Sequence, residues 1–403
     1  MIFFAWCLSH HKRKFPVRVV VGGLAIQLTL VLLILKTTRG RKLFSWLGGT
    51  FTKLLDFVDE GCVIVFGDNF RDFYFAFKVL PTIVFFSALM AVMYHLRVMQ
   101  FVVKILAWVL QRTLRISGAE SLSAAANIFV GQTEAPFVIR PYIPTMTKSE
   151  LTAIMTGGFA TVAGGVLALY VGWGIDAGHL ITASFISAPA GLLIAKVIYP
   201  ETETPVTANG ANADIPVEST NVIEAATNGA SDGLKLALNV AAMLIAFTAL
   251  IAMGDYLLSS LTWWVGTQVF GMELQNGIGL ALVFGYVFAP IGWLMGIEWK
   301  ECLQAGELLG LKMIANELIA YDRMREMLPG SGTPNELSQR TVTIMTYALS
   351  GFSSFASIGI QVGGIGGLCP ERRKDLAALG LKAMLGGTLA CCMTACIAGI
   401  MIG

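Results

Sequence analysis

Two glutamates stand in segments that are otherwise too apolar to hold a charge without a partner. Glu134 lies in Gly131–Pro136, which reads GQTEAP and separates two short apolar arms within Ser121–Tyr142. Glu317 lies between the apolar arms of Gly306–Tyr321. An ionised glutamate at the centre of a membrane helix costs about 3 kcal/mol even on lenient insertion scales. Each side chain therefore needs a polar partner or a ligand, and both segments are candidate binding sites.

The composition places these segments in a membrane. Of the 403 residues, 55% are hydrophobic and 13% are charged, whereas soluble chains carry about 25% charged residues. So little charge cannot cover a globular surface, and the chain is interpreted as an all-α polytopic membrane protein. The net charge of +2 comes without an arginine-rich arm, which argues against nucleic-acid binding. The seven cysteines show no paired metal spacing, so neither a disulfide framework nor a structural zinc is expected.

Several apolar stretches are long enough to cross a bilayer as helices, which takes about 20 residues. Two further segments mix apolar residues with regularly spaced charge, a pattern typical of interfacial amphipathic helices. The run Ile278–Ile297 is interrupted by Pro290 and stays unclassified. The spanning stretches are Val19–Leu35, Val79–Leu96, Leu151–Trp173, Leu180–Tyr199, Leu234–Leu258, Val342–Val362 and Leu376–Ile402, and the amphipathic segments are Lys42–Glu60 and Met99–Arg115.

Each glutamate marks the tip of a predicted re-entrant hairpin. The arms of Ser121–Tyr142 are each about half a span long, and glycine and proline interrupt the helix between them. Broken backbone at membrane depth is tolerated only beside protein or a water-filled cavity, so this tip should lie inside the protein. The alternative at the first tip is an ordinary surface turn. At the second tip it is a charged interfacial helix, because Glu301, Glu307 and Lys312 lie nearby.

The segments that follow the two tips resemble each other. Gly158–Gly164 reads GFATVAG and Gly351–Ser357 reads GFSSFAS; they match at three positions and place Thr161 opposite Ser354. Small and hydroxyl residues let a membrane helix unwind, and the freed carbonyls can replace the hydration shell of a cation. Each half thus shows a re-entrant hairpin, a broken helix and a further helix, which is the pattern of a secondary transporter with two inverted repeats.

These features divide the chain into a scaffold and two transport repeats. Met1–Ser9 is too short to span a bilayer and is interpreted as the end of a truncated first helix or as a short stub. The predicted organisation is scaffold and interfacial helices in 1–115, the first transport repeat in 116–200, a polar linker in 201–232, a scaffold helix and connector in 233–276, and the second transport repeat in 277–403.

Several motifs resemble those of the concentrative nucleoside transporters, in particular the bacterial sodium-coupled type. GQTEAP at Gly131–Pro136 is the most specific match, and NELIAY at Asn316–Tyr321 is similar to the family's Asn-Glu-Phe pattern. GFSSFASIGI at Gly351–Ile360 resembles its Gly-Phe-Ala-Asn pattern, and Phe284–Gly296 is also family-like. The resemblance covers nearly the whole chain. It implies a homotrimeric, sodium-coupled symporter that imports nucleosides such as uridine by an elevator-type movement, with a bacterial inner membrane as the expected location.

The resemblance also implies a role for individual residues as nucleoside contacts or sodium ligands. Ser354 stands where the family often has Asn, so the side chain that makes one expected ribose contact is shorter. The implied nucleoside contacts are Gln132, Thr133, Glu134 and Val166 for the base, and Glu317, Phe352, Ser354 and Ser357 for the ribose. The implied sodium ligands are Asn127, Val130, Thr161 and Val162, some of them through backbone carbonyls.

Two other transport modes are compatible with the sequence. Protons are the alternative coupling ion, because two buried carboxylates could titrate. A passive channel is less favoured, because it needs a continuous polar pore rather than two closed tips. An enzyme is not expected, since no HExxH motif occurs and the four histidines are scattered. No cofactor is expected besides sodium as the coupling ion, and the preference between pyrimidine and purine nucleosides stays open.

Overall fold

The computed structural model of the protein describes residues 1–402 except 74, 209, 212–218 and 269–277. Over these ranges the chain is almost entirely helical and contains no strand, which confirms the predicted all-α class. Within the same ranges, four helical stretches are long and apolar enough to cross a membrane, namely Val17–Ile34, Ala76–His95, Ala177–Ile198 and Pro370–Ile402.

The predicted spans and amphipathic segments are helical with shifted ends, except that Leu151–Trp173 and Val342–Val362 are each interrupted. The first half contains α1 (Ile2–Cys7), α2 (Val17–Val31), α3 (Thr38–Phe66), α4 (Leu80–His95), α5 (Val98–Leu114), α6 (Gly118–Ala126), α7 (Lys148–Ala160), α8 (Gly164–Gly172) and α9 (Ala177–Ile198). The second half contains α10 (Val222–Gln268), α11 (Leu280–Leu294), α12 (Cys302–Ile314), α13 (Glu317–Arg325), α14 (Gln339–Leu349), α15 (Phe355–Leu368) and α16 (Arg373–Ile402).

The helix α10 begins earlier than its sequence suggests. Its first residue is Val222, so it includes the end of the stretch 201–232 that was predicted to be a polar linker. Two glycines near the start of α10 allow it to pack closely on α4. A Cβ at Gly229 would lie 2.6 Å from Ala91 Cβ, and one at Gly233 would lie 2.7 Å from Ser87 Cβ, both on α4. Residues 212–218 of the predicted linker, and the predicted boundary between residues 276 and 277, lie outside the described residues.

Both predicted hairpins consist of two arms joined by a polar tip, but their second arms differ. In the first hairpin, α6 is followed by a 3-10 helix, Ala135–Thr145, rather than by an α-helix. Pro141 and Pro144 lie inside it, and proline removes a backbone donor and clashes with the carbonyl four residues earlier in an α-helix. In the second hairpin both arms are α-helical, and α12 and α13 are separated by Ala315 and Asn316.

The two predicted broken helices are both interrupted where the repeated motif lies. In the first half, α7 ends at Ala160 and α8 begins at Gly164; in the second, α14 ends at Leu349 and α15 begins at Phe355. The matched positions have nearly the same extended backbone, with φ −124° and ψ 163° at Thr161 and φ −126° and ψ 161° at Ser354. We refer to residues 161–163 as the first break and to residues 350–354 as the second break.

The last helix, α16, joins the two halves. It packs against α7 and α9 of the first half and against α14 and α15 of the second. The approach is close because small residues line the contact, as is usual between membrane helices. A Cβ at Gly387 would lie 2.4 Å from the Cβ of Phe159 on α7. The two breaks are therefore held against one common helix.

Candidate functional site

The first tip is a tight turn that its own glutamate closes. Glu134 Oε2 accepts a hydrogen bond from the backbone amide of Gly131, and the Glu134 amide donates to the Gly131 carbonyl at 3.2 Å. The side chain of Glu134 is exposed. It interacts electrostatically with Tyr94 of α4 and Asp232 of α10.

Two further residues of the first tip, Gln132 and Thr133, lie against α15, in the opposite half of the chain. Gln132 is 6% exposed, and its Oε1 accepts a hydrogen bond of 2.9 Å from Gln361 Nε2. The same Nε2 donates to the Met155 carbonyl at 3.1 Å. Because the oxygen of Gln132 is occupied, its amide nitrogen is left to donate to a ligand. Thr133 lies beside Gly364, where a Cβ would come within 3.2 Å of the threonine methyl group.

The second tip buries its carboxylate. Asn316 caps α13 by accepting a hydrogen bond of 2.9 Å from the amide of Ile319, and Glu317 begins the helix with 2% exposure. Glu317 Oε1 accepts a long hydrogen bond of 3.4 Å from the hydroxyl of Tyr170, on α8. Glu317 Oε2 has no hydrogen-bond partner among the described residues. A helix N-terminus favours a negative charge there, and the open oxygen can accept hydrogen bonds from a ligand.

The second break places the predicted ribose contacts side by side at the start of α15. Ser354 is the N-cap of this helix, and its Oγ accepts a hydrogen bond of 3.3 Å from the Ser357 amide. The two serine hydroxyls lie 2.9 Å apart. Phe352 is partly buried, and its amide donates to the Thr161 carbonyl at 3.3 Å. The ring of Phe352 and the two hydroxyls thus belong to one short segment that touches the first break.

The predicted sodium ligands lie around the first break. Asn127 is 1% exposed, and its Oδ1 has no hydrogen-bond partner in the described part of the chain. Thr161 and Val162 are buried in the break, and the Thr161 hydroxyl donates to the Gly157 carbonyl at 3.0 Å. Val130 follows α6 and is partly buried. A buried amide oxygen without a donor is costly, and amide, hydroxyl and carbonyl oxygens together suit a hard cation.

Contacts between the halves cross at the two tips. Gln132 of the first tip bonds to Gln361 of the second half, and Glu317 of the second tip bonds to Tyr170 of the first half. These contacts do not join the two glutamates to each other, since the Glu134 carboxylate accepts from Gly131 and the Glu317 carboxylate from Tyr170. Val166 is 4% exposed and belongs to the main hydrophobic cluster.

Three residues at the site were not singled out from the sequence. Gln361 donates a hydrogen bond to the side-chain oxygen of Gln132, and Tyr170 donates one to Glu317. Lys312 is buried, and its ammonium donates to the Ala348 carbonyl at 2.8 Å. The signal for Gln361 is its amide in the otherwise apolar and small run of α15. Tyr170 carries no comparable signal, because a tyrosine in an apolar helix is unremarkable.

Three family profiles match consecutive parts of the chain. Residues 179–399 match the profile described as Na+ dependent nucleoside transporter C-terminus, and residues 1–69 match the corresponding N-terminus. Residues 76–175 match a gate domain described as nucleoside recognition.

Individual relatives and solved structures agree with these profiles. Solute carrier family 28 member 3 of Mus musculus is 40% identical over 99% of this chain, and the match spans 57% of that carrier's length. An uncharacterized transporter of Haemophilus influenzae is 45% identical over 100% of this chain and 96% of its own length. The structure of CNTnw in an inward-facing substrate-bound state has a TM-score of 0.91 and 41% identity, covering 100% of this chain and 95% of that one.

These matches decide between the classes of function considered above. The profile over residues 179–399 covers more than half of the chain, and the relatives match almost all of it. The family consists of transporters, so the expectation that the chain is not an enzyme is confirmed. Its several apolar helices agree with a multi-pass membrane protein. The chain belongs to the Na+-dependent nucleoside transporter family.

Proposed function

We propose that the chain is a sodium-coupled nucleoside symporter. The observation that carries this proposal is that two buried oxygen atoms of the predicted site, one in each half, are among those that lack a partner in the described ranges: Asn127 Oδ1 and Glu317 Oε2. Buried polar atoms in native proteins nearly always have a partner. A sodium ion suits the first atom, because its neighbours are hydroxyl and backbone oxygens. A hydroxyl group of a bound solute suits the second.

The second half supplies the sugar contacts in this proposal. Glu317 accepts hydrogen bonds from ribose hydroxyls, and a bond to a charged acceptor is about twice as strong as a neutral one. Ser354 and Ser357 lie within 2.9 Å of each other and add two hydroxyls. Phe352 packs on the sugar ring. A buried site that pairs a hydroxyl rejects analogues without it, so ribonucleosides are preferred over their deoxy forms.

The first half supplies the base contacts and the ion. Gln132 donates its amide hydrogens to a base carbonyl, because its own oxygen is already held by Gln361. Thr133, Glu134 and Val166 complete the base contacts. Asn127, Val130, Thr161 and Val162 bind sodium beside the same tip. The Gly164 amide donates to the Phe129 carbonyl at 3.1 Å, which links the tip to the first break. Ion and base binding are thereby coupled through one short segment.

The transport movement is proposed to be of the elevator type. The crossed contacts and the shared packing on α16 favour a single moving body made of both hairpins and both broken helices. This body touches the α4–α10 pair through α8 and α13. The similar protein CNTnw is known in an inward-facing substrate-bound state, and variants of it in outward-facing and intermediate states. The proposed assembly is a homotrimer in a bacterial inner membrane.

Uptake by proteoliposomes tests the function. Radiolabelled uridine should accumulate above its external concentration when an inward sodium gradient is imposed, and an equal potassium gradient should give no accumulation. Accumulation driven by a pH gradient in sodium-free buffer would favour the alternative, a proton-coupled symporter. Equilibration without accumulation under either gradient would identify a passive channel and contradict the proposal.

A further inference from the structure

Lys312 is a fully buried cation that the proposed transport site does not use. It lies in the last turn of α12 with 0% exposure, and its ammonium donates to the Ala348 carbonyl at 2.8 Å. No carboxylate of the described residues forms a salt bridge of 4.0 Å or less with it. A buried charge is expensive unless its surroundings compensate it. The surroundings of this ammonium therefore have to supply the compensation.

The compensation comes from the end of α14. A helix C-terminus leaves four carbonyls without an intrahelical donor and carries about half a negative charge. Here each of the last four carbonyls before the second break has a donor. The donors are Tyr321 Oη to Thr346 at 2.7 Å, Ser350 Oγ to Tyr347 at 2.8 Å, Lys312 Nζ to Ala348 at 2.8 Å and the Gly351 amide to Leu349 at 2.7 Å. Of these four donors, only Lys312 is charged.

The ammonium also acts on the two neighbours of the second break. It interacts electrostatically with the Glu317 carboxylate and with the thiol of Cys391. Cys391 in turn lies 3.6 Å from the carbonyls of Ala160 and Ser350, one at each break. Lys312 is thus placed at the point where the second tip, the second break and α16 meet.

The first half has an equivalent place at Asn127. Asn127 is the C-cap of α6 and Lys312 lies in the last turn of α12, and each precedes the polar tip of its hairpin. At Asn127 a buried oxygen lacks a partner, whereas at Lys312 a buried ammonium meets a freed carbonyl. The first hairpin therefore has an open hydrogen-bond acceptor, whereas the second has a fixed positive charge.

We propose that the Lys312 ammonium is a tethered cation that does at the second break what a bound sodium ion does at the first. This inference rests on the proposed sodium-coupled function. Lys312 is a positioning residue: it holds the end of α14 and sets the field at Glu317 without touching the nucleoside. Because its charge is covalently fixed, the second break needs no ion, and one sodium ion is coupled to each nucleoside.

The test separates the charge of Lys312 from its hydrogen bond. Lys312→Gln keeps a donor for the Ala348 carbonyl but removes the charge, and Lys312→Arg keeps the charge. Lys374→Met, which removes an exposed lysine of α16, is the matched control. Equilibrium uridine binding to the purified protein is measured across a sodium titration, with sodium-induced thermal shifts as a readout of ion binding and folding.

The expected result is a split between nucleoside and ion. Lys312→Gln should weaken uridine binding at saturating sodium at least tenfold while the half-saturating sodium concentration changes less than twofold. Lys312→Arg should bind uridine better than Lys312→Gln, and Lys374→Met should behave like the unaltered protein. The sodium Hill coefficient of the unaltered protein should be about one.

Two results would overturn the role of Lys312. One is a Lys312→Gln protein that binds uridine as tightly as the unaltered protein. The other is a sodium Hill coefficient near two in the unaltered protein, which requires no variant and stands even if Lys312→Gln fails to fold. A chain that shows no sodium-dependent uridine binding at all would instead overturn the proposed function itself, so the two failures are distinguishable.

Discussion

The two breaks differ in the polar group that lies beside the interrupted helix. At the first break, the buried Asn127 Oδ1 has no partner among the described residues, and Thr161 contributes a hydroxyl. At the second break, the freed carbonyl of Ala348 is occupied by the ammonium of Lys312. If the first break binds sodium as proposed, its cation is exchangeable, whereas the ammonium of Lys312 is covalently fixed. In the proposed function, two similar sequence motifs thus divide ion binding and solute binding between them.

The largest expected effect is the loss of uridine affinity when Glu317, in the second half, is replaced. Glu317→Gln should lower uridine affinity by about 100-fold, because two hydrogen bonds to a charged acceptor are worth about 3 kcal/mol together. Sodium-induced thermal stabilisation should persist, since the ion belongs to the first break. Uridine binding and thermal shifts of the purified protein measure both effects. Glu326→Gln, at the exposed C-cap of α13, is the control. Normal uptake by Glu317→Gln would remove the sugar-binding role.

The converse change addresses the first break. Asn127→Ala should raise the half-saturating sodium concentration about tenfold, which corresponds to the loss of about 1.4 kcal/mol of ion binding. Uridine affinity at saturating sodium should stay within a few-fold of the unaltered protein. Gln27→Leu is a matched control, because Gln27 is a buried amide of α2 whose Oε1 also lacks a partner in the described ranges. An unchanged sodium titration in Asn127→Ala would show that the ion binds elsewhere.

The crossed contact at the first tip should have an intermediate effect. Gln361→Leu removes the donor that holds Gln132 Oε1, so the Gln132 amide loses its orientation toward the base. One neutral hydrogen bond is worth about 1 kcal/mol, which predicts a roughly fivefold loss of uridine affinity. The sodium titration should not move. Gln100→Leu removes another buried amide side chain, on α5, and is the control. Wild-type uridine affinity in Gln361→Leu would contradict the positioning role.

The smallest expected effect concerns the serine at the second break. Ser354→Ala removes the cap of α15 and should lower the free energy of unfolding by about 1 kcal/mol. It should also reduce the preference for uridine over 3′-deoxyuridine, measured by competition in uptake. Ser338→Ala removes the cap of α14, which accepts from the Thr341 amide at 3.3 Å, and should lose similar stability without changing the preference. Equal potency of the two nucleosides on the unaltered protein would argue against ribose contacts here.

Much of this architecture is predictable from the sequence, because polar residues in apolar runs are easy to see. Gly131–Pro136 and Asn316–Glu317 mark both tips, and the glycine and hydroxyl motifs mark both breaks. The start of α10 was misplaced, because the Asn-, Thr-, Ala- and Glu-rich composition of 201–232 indicates a loop, whereas the close packing of Gly229 on α4 is visible only in the structure.

The missed features depend on contacts between distant parts of the chain. Lys312 was read only as support for a charged interfacial helix, since its partner Ala348 lies 36 positions away. The pairs Gln132–Gln361 and Tyr170–Glu317 link residues of different halves, which no local pattern reveals. The proline-rich second arm of the first hairpin could have been identified as irregular, because Pro141 and Pro144 are visible in the sequence. The individual roles of the site residues stay predictions.

The exchange of partners between the two tips makes the halves dependent on each other. A fragment that stops before Val222 would keep Gln132 but lack Gln361, and the complementary fragment would keep Glu317 but lack Tyr170. Neither piece would recognise its solute when produced by itself, whereas both pieces synthesised in the same cell could reassemble a working carrier.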